Sequence, residues 1–199
     1  MNQTIDYYNQ NAQDFYADTV AVDMSVLYAK FLTLLPEQGK ILDVGCGSGR
    51  DALFFKQQGH EVLAFDASES LCDLAGELLQ QPVLNMTFND IHWQNQFSGI
   101  WACASLLHCP ENELTTVFTK LQAALIENGV MYVSFKYGDL TREKGGRVFT
   151  DLNEGKLQQL VAQQAGLHAI EIWLSGDNRL ERSDVWLNCL VQKKTYDMA

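Results

Sequence analysis

The chain has 199 residues, of which 47% are hydrophobic, and a formal net charge of −11 with an isoelectric point near 4.6. This length suits one domain with an ordinary core, and the acidic balance counts against a nucleic-acid partner, because binding a phosphate backbone requires a basic face. We therefore predict a single domain over residues 1–199 that acts on a small molecule, as a monomer or a homodimer.

Signals for a membrane or a secreted location are not seen in the sequence. The N-terminus lacks the basic flank and apolar core of a signal peptide, and the longest apolar runs, such as residues 130–135, have strand length. Five cysteines stand at positions 46, 72, 103, 109 and 189 without Cys-x-x-Cys spacing. They indicate reduced, mostly buried thiols and no metal site, so we expect a cytoplasmic protein.

The first segment of the chain has the pattern of a helical cap. Residues 1–36 carry the aromatic pairs Tyr7–Tyr8 and Phe15–Tyr16 and then an apolar helical pattern as far as Leu35. We predict an N-terminal helical cap over residues 1–36 and a core over residues 37–194.

From residue 41 onward, strand and helix patterns alternate, which is typical of a doubly wound, Rossmann-like α/β fold with helices on both faces of a mostly parallel sheet. Residues 175–183 are too few for a crossover helix, so the last two strands should pair antiparallel. The seven predicted strands are 40–44, 61–65, 83–88, 99–104, 129–135, 167–174 and 184–192. The predicted helices between them are 48–58, 69–80, 111–127 and 153–165.

The stretch Ile41-Leu-Asp-Val-Gly-Cys-Gly-Ser-Gly49 reads as a strand followed by a glycine loop. Glycines at every second position let the backbone approach a ligand closely, and the helix that follows directs N–H groups at it. Asp66 ends the next predicted strand, 21 residues after Gly45. A carboxylate at this distance is typical of a group that binds ribose hydroxyls in a nucleotide-binding βαβ unit.

The loop departs from the dinucleotide fingerprint G-x-G-x-x-G, because Arg50 stands where the third glycine belongs and Asp43 would repel a pyrophosphate. Its acidic-x-G-x-G-x-G pattern resembles that of class I S-adenosylmethionine-dependent methyltransferases, most closely the small single-domain enzymes of the tellurite-resistance and small-molecule type. The resemblance covers nearly the whole chain. It implies S-adenosylmethionine as cofactor, a small anionic or metalloid acceptor, and the strand order 3-2-1-4-5-7-6.

The same resemblance implies roles for individual residues. Asp66 would bind the ribose hydroxyls, Asp43 would hold the loop or the methionyl amino group, and Arg50 would pair with the cofactor carboxylate. Asp90 would accept the adenine amino group while Ile91 packs on the ring. The full set expected to bind the cofactor is Asp43, Gly45, Cys46, Gly47, Gly49, Arg50, Asp66, Ala67, Asp90, Ile91, Ala104, Ser105 and Leu106.

Acceptor-binding groups are less well specified by the sequence. His108 follows strand 4 and is a candidate base for an acceptor hydroxyl, amine or thiol, although a loop histidine can also be structural. Tyr16 and Arg182 complete the catalytic candidates. The basic residues Lys136, Arg142, Lys144 and Arg147 form either a solvated loop or an attractive surface for an anionic substrate.

Two other functions remain open on the sequence alone. A nicotinamide-dependent oxidoreductase is disfavoured by Arg50 and by the closing hairpin. A cofactor-binding protein that has lost catalysis is the other alternative, because methyl transfer needs so few obligatory side chains that no missing residue would reveal the loss.

Overall fold

A computed structural model describes residues 2–179 and 182–194. Seven strands form one sheet in the order β3-β2-β1-β4-β5-β9-β8, and β6 pairs with β7 in a separate hairpin. The strands are β1 Lys40–Val44, β2 Glu61–Asp66, β3 Leu84–Asn85, β4 Phe97–Ala102, β5 Leu125–Lys136, β6 Thr141–Lys144, β7 Arg147–Thr150, β8 Leu167–Gly176 and β9 Val185–Lys193. The α-helices are α1 Asn2–Gln10, α2 Ala12–Thr19, α3 Ser25–Leu32, α4 Arg50–Gln57, α5 Glu69–Leu79, α6 Glu111–Ala124 and α7 Glu154–Ala162.

The sheet confirms the predicted fold class and strand order. Strands β1 to β5 pair in parallel, whereas β9 runs antiparallel to both of its neighbours, β5 and β8. The chain reverses sheet direction at β1, which has β2 on one side and β4 on the other. Ligands of open α/β sheets bind at such a switch point, outside the carboxyl ends of the strands.

Helices cover both faces of the sheet, as predicted. One buried cluster contains Phe118 of α6 and Leu157 of α7, and the other contains Phe31 of α3, Phe55 of α4 and Ala75 of α5. Strands buried on both faces need continuous apolar sequence, and β4 is buried along its whole length. In the described ranges, no helix is long and apolar enough to cross a membrane.

The predicted helix over residues 111–127 was too long. Helix α6 ends at Ala124, and Leu125 already takes extended backbone angles as the first residue of β5. Asn128 has a left-handed backbone conformation, with φ of 61°, and lies where the pairing of β5 with β4 shifts register. Residues 125–127 therefore extend β5 and do not continue the helix, because pairing with β4, where Leu125 opposes Phe97, outweighs their helical propensity.

The basic segment around residue 142 forms a β-hairpin and not the irregular loop considered from sequence. Strands β6 and β7 are joined by Gly145 and Gly146, which both have positive φ values, 58° and 74°. Two residues with positive φ make the tight turn that suits the twist of paired strands. The Gly145–Gly146 pair between two short strand-length segments was the sequence signal for this hairpin.

Candidate active site

A cavity of about 610 Å³ lies at the carboxyl ends of β1, β2 and β4. Its floor includes Gly45 and Gly47 after β1, Asp66 at the end of β2, and Ala104 after β4. Helix α1 covers it with Tyr8. The other residues of its lining are Gln3, Thr4, Ile5, Phe15, Phe65, Ala67, Ser68, Leu71, Met86, Thr87, Phe88, Asn89, Ser105, His108, Cys109, Pro110, Glu113 and Val148.

The glycine loop requires glycine for two reasons, namely its backbone angles and the lack of room for side chains. Gly45, Gly47 and Gly49 all have positive φ, between 55° and 79°. A β-carbon at position 45 would lie 2.6 Å from Cβ of Ser105, and one at position 47 would lie 3.0 Å from the ring of Phe15. Side chains are therefore excluded where a ligand has to approach the backbone.

Asp66 joins the two loops that border the cavity. One carboxylate oxygen accepts a hydrogen bond from Gly47 N at 2.9 Å, and the other accepts one from Ser68 N at 2.9 Å. Burial raises the pKa of Asp66, although these backbone donors oppose the rise. Because an ionised carboxylate offers about four acceptor positions, we expect Asp66 to be able to accept from a ribose hydroxyl as well.

One buried polar atom at the cavity has no partner within the described part of the chain. Ser105 Oγ is buried and makes no hydrogen bond to a described residue, so its side chain does not cap the turn after β4. Ala104 beside it has a φ of 52°, which is strained for a non-glycine residue. An unpartnered hydroxyl, a strained backbone and a side-chain-free loop together fit a polar ligand such as S-adenosylmethionine.

Asp43 lies beneath the loop and lines neither this cavity nor the smaller second cavity that adjoins it. It is 2% exposed, burial raises its pKa well above the ordinary value, and its Oδ2 has no hydrogen-bond partner among residues 2–179 and 182–194. This position supports the expectation that Asp43 holds the loop more than it supports direct contact with the methionyl group.

Arg50 is engaged by the protein itself. Its Nε and Nη2 donate to Asp51 at 2.6 and 3.0 Å, and its Nη1 donates to Thr19 O at 3.2 Å. The Asp51 carboxylate also accepts hydrogen bonds from Tyr28 at 2.5 Å and from Trp101 at 2.7 Å. The side chain predicted to meet the cofactor carboxylate is thus held in place by a buried acid, and it lines the second cavity.

At the adenine end, the structure separates Asp90 from the cavity. The Asp90 carboxylate accepts hydrogen bonds from the backbone N–H and hydroxyl of Thr87, at 2.8 and 2.7 Å, in a capping box. Ile91 is buried and lies outside the lining. The neighbouring Met86 and Phe88 do line the cavity, and we expect their side chains to contact an adenine ring there.

Of the remaining residues expected to bind the cofactor, three line a cavity and two do not. Ala67 lines the first, Cys46 lines the second, and Ala104 lines both. Gly49 and Leu106 line neither, since Gly49 caps α4 and Leu106 is fully buried in the core. Their contribution is to the shape of the loops.

His108 is held between the cap and the hairpin. Its Nδ1 lies 2.7 Å from Val148 O and its Nε2 lies 2.9 Å from Tyr8 Oη. A carbonyl only accepts, so Nδ1 carries the hydrogen and Nε2 accepts from the Tyr8 hydroxyl in the neutral ring. Burial, with a smaller effect of the positive charges of Arg147 and Lys136, lowers the pKa of His108 to about 4, although the hydrogen bond to Val148 O opposes the change.

We expect His108 to make stability depend on pH. An unfolded histidine has a pKa of about 6.5, so between about pH 6.5 and about pH 4 the unfolded chain binds a proton that the folded chain excludes. The contribution of His108 to the free energy of unfolding is therefore fully present above pH 6.5 and lost as the pH falls. Urea unfolding at about pH 7.5 and about pH 5.5 should show this loss, and His108→Gln should reduce it.

The exposed His92 provides the control for that measurement. His92→Gln should leave the pH dependence of unfolding as it is in the wild type. If the wild type and His108→Gln lose equal stability between about pH 7.5 and about pH 5.5, His108 is not the source of the pH dependence.

A second cavity, of about 230 Å³, adjoins the first. Six residues line both, namely Tyr8, Phe15, Gly45, Gly47, Ala104 and His108. The second cavity also contains Arg147 of β7 and Arg182, whose side chain is exposed. Tyr16 lines neither cavity, and Tyr8 was the aromatic residue that the sequence candidates omitted.

Part of the chain matches a family of known proteins. Residues 41–129 match the family model described as a methyltransferase domain. An uncharacterized methyltransferase of Staphylococcus carnosus (strain TM300) is 27% identical over 141 residues, which cover 66% of this chain and 68% of that protein. Residues 41–129 therefore form a methyltransferase domain, and the predicted S-adenosylmethionine-dependent methyltransferase is confirmed. Its cofactor is S-adenosylmethionine, and the oxidoreductase alternative is not favoured.

Another relative and a solved structure are also described as methyltransferases. A Bacillus subtilis (strain 168) protein, also described as a methyltransferase, is 27% identical over 117 residues, and the match spans 53% of this chain and about half, 47%, of that protein. The fold is shared with Burkholderia thailandensis 1,6-didemethyltoxoflavin-N1-methyltransferase, solved with bound 1,6-didemethyltoxoflavin and S-adenosylhomocysteine. That structure has a TM-score of 0.77 at 20% identity and covers 95% of this chain and 85% of its own. The narrower likeness to tellurite-resistance enzymes stays a prediction.

Proposed function

We propose that this methyltransferase moves the methyl group to a small anionic acceptor bound in the second cavity. The observation that carries the proposal is the charge of that cavity. Its described lining has six cations, Arg50, Lys136, Lys144, Arg147, Arg179 and Arg182, and three carboxylates, Asp51, Asp177 and Asp184, a net charge of six minus three, or +3. A chain of net charge −11 has concentrated positive charge at one place.

The first cavity has the opposite charge, which supports a division of labour. Its charged lining residues within the described chain are Asp66 and Glu113, and no lysine or arginine lines it. When bound, S-adenosylmethionine supplies a methyl group activated by a positive sulfonium. We infer that the first cavity holds the cofactor and that the acceptor reaches the methyl group across the wall that both cavities share.

Few side chains need to act chemically in such a reaction, because the sulfonium is already a good leaving group. The protein mainly aligns the reactants and excludes water. Tyr8 lies on the shared wall, and His108 orients its hydroxyl through the 2.9 Å hydrogen bond. We therefore propose His108 as a positioning residue that acts through Tyr8. Arg182 is proposed to attract the acceptor and not to react with it.

The proposal is tested by measuring S-adenosylhomocysteine release with matched pairs of acceptors. Each small carboxylate, phenolate or metalloid oxyanion is compared with an uncharged analogue of the same shape. We expect turnover with anions, and a KM that rises with ionic strength, because salt screens the attraction. Methylation confined to uncharged acceptors would contradict the proposal.

The remaining predictions from sequence are carried forward as part of this proposal. We expect a monomer or homodimer without a nucleic-acid partner, in a single domain, on the basis of the acidic composition and chain length. The odd number and the spacing of the cysteines support a cytoplasmic location.

A further inference from the structure

Arg147 differs from three other arginines in the part of the chain that the structure describes. Arg50, Arg142 and Arg179 each direct Nε and one terminal nitrogen at the two oxygens of an aspartate, with distances between 2.5 and 3.1 Å. Arg147 makes no ion pair with any described carboxylate, and its Nε is buried without a hydrogen-bond partner in the described ranges. A buried N–H of this kind normally has an acceptor.

Aromatic rings surround the Arg147 guanidinium. Its Cζ lies 4.3 Å from the ring centroid of Tyr7, 5.2 Å from that of Phe149 and 5.8 Å from that of Tyr8. Such contacts stabilise the cation and fix the orientation of its plane. A ligand is then best received at the edge of the plane, where the N–H groups point.

We propose that Arg147 is the residue that selects the acceptor, by binding a carboxylate of that molecule through the N–H groups of its guanidinium. Two coplanar oxygens match the fork of a guanidinium, which makes this pairing stronger and more directional than a lysine contact. Asp51, Asp151 and Asp177 make the same pairing with other arginines of this chain. The inference rests on the proposed function, because it assumes that the second cavity holds the acceptor.

The position of Arg147 connects the acceptor to the shared wall. The next residue, Val148, accepts from His108 Nδ1 at 2.7 Å through its carbonyl and donates to Thr4 Oγ1 at 3.1 Å through its N–H. Thr4 and Tyr8 belong to α1, which covers the cofactor cavity. A carboxylate on Arg147 is thereby fixed beside the Tyr8–His108 pair and at the border between the two cavities.

The direct test observes Arg147 itself by NMR. The full chain, saturated with S-adenosylhomocysteine, is titrated with sodium benzoate while the Nε–H signals of the arginines are recorded. The Arg147 signal is identified by its loss in Arg147→Lys. We expect this signal to shift saturably, while those of Arg50, Arg142 and Arg179 stay in place because aspartates already occupy them. Benzamide, the uncharged analogue, should cause no shift.

Two further titrations distinguish the kind of oxyanion. Sodium phosphate and sodium tellurite are added in the same way, and weaker shifts than with benzoate support a carboxylate. Tighter binding of tellurite or phosphate than of benzoate would overturn the carboxylate assignment. An Arg147 signal that no anion moves would overturn the inference altogether.

A pair of variants separates this inference from the proposed function. Arg147→Gln should weaken benzoate binding by about tenfold or more, the effect of losing a charge-assisted hydrogen bond, while Lys194→Gln removes an equal charge outside both cavities and should change nothing. S-adenosylmethionine affinity should be equal in both variants. Turnover of a carboxylate acceptor that is unaffected by Arg147→Gln overturns the inference alone, whereas turnover only of uncharged acceptors overturns the proposed function.

Discussion

Asp66→Ala is expected to weaken S-adenosylmethionine binding by roughly tenfold to a hundredfold, because a hydrogen bond to a charged group contributes about 1.5–3 kcal/mol. Asp66 is at the end of β2 and lines the first cavity. Its carboxylate also accepts from Gly47 N and Ser68 N, so the substitution removes both the proposed ribose contact and a restraint on the glycine loop. Isothermal titration calorimetry measures the change in dissociation constant.

Asp73→Ala is the matched control, because Asp73 is an exposed acid on α5 outside both cavities. The dissociation constant of Asp73→Ala for S-adenosylmethionine should equal that of the wild type. Circular dichroism of Asp66→Ala should show a folded protein, so that lost binding is not lost structure. A folded Asp66→Ala that binds S-adenosylmethionine with wild-type affinity would remove Asp66 from the cofactor site.

Asp51→Asn is expected to lower the free energy of unfolding by about 3–5 kcal/mol, the usual cost of removing one partner of a buried ion pair. Burial opposes ionisation of Asp51, yet Arg50, Tyr28 and Trp101 together hold its pKa below the ordinary value. The amide would leave the Arg50 guanidinium unpaired in a position with little access to water. Urea denaturation measures the loss.

The control for this measurement is Asp73→Asn, which changes an exposed carboxylate and should alter stability by less than about 0.5 kcal/mol. A loss below about 1 kcal/mol in Asp51→Asn would show that the buried pair contributes little beyond an uncharged hydrogen-bonded group.

The strand order and the position of the site follow from features that are local in the sequence. The glycine loop requires positive φ at positions 45, 47 and 49, which only glycine adopts easily, and Asp66 terminates an apolar strand. Both signals depend on the residues themselves and on short spacings. The closing hairpin was equally predictable, since the chain between the last two strands is too short to cross the sheet.

The parts that the sequence did not predict depend on contacts between distant segments. Tyr8 and Tyr16 are both aromatic residues of the cap, and only the packing of α1 against β7 brings Tyr8 to His108, 100 residues away. Asp90 has the expected position after β3, yet a local hydrogen bond to Thr87 takes its carboxylate away from the cavity. Spacing along the sequence alone does not show which aromatic residue reaches His108 or which group the Asp90 carboxylate binds.

A crystal structure with bound S-adenosylhomocysteine tests the central claim most directly, that one cavity holds the cofactor and the adjoining cationic cavity holds the acceptor. We predict the ribose hydroxyls on Asp66, the adenine beside Met86 and Phe88, and the sulfur at the wall that includes Gly45, Ala104 and Tyr8. Electron density for the nucleoside in the second cavity, against Arg147 and Arg182, would contradict the account.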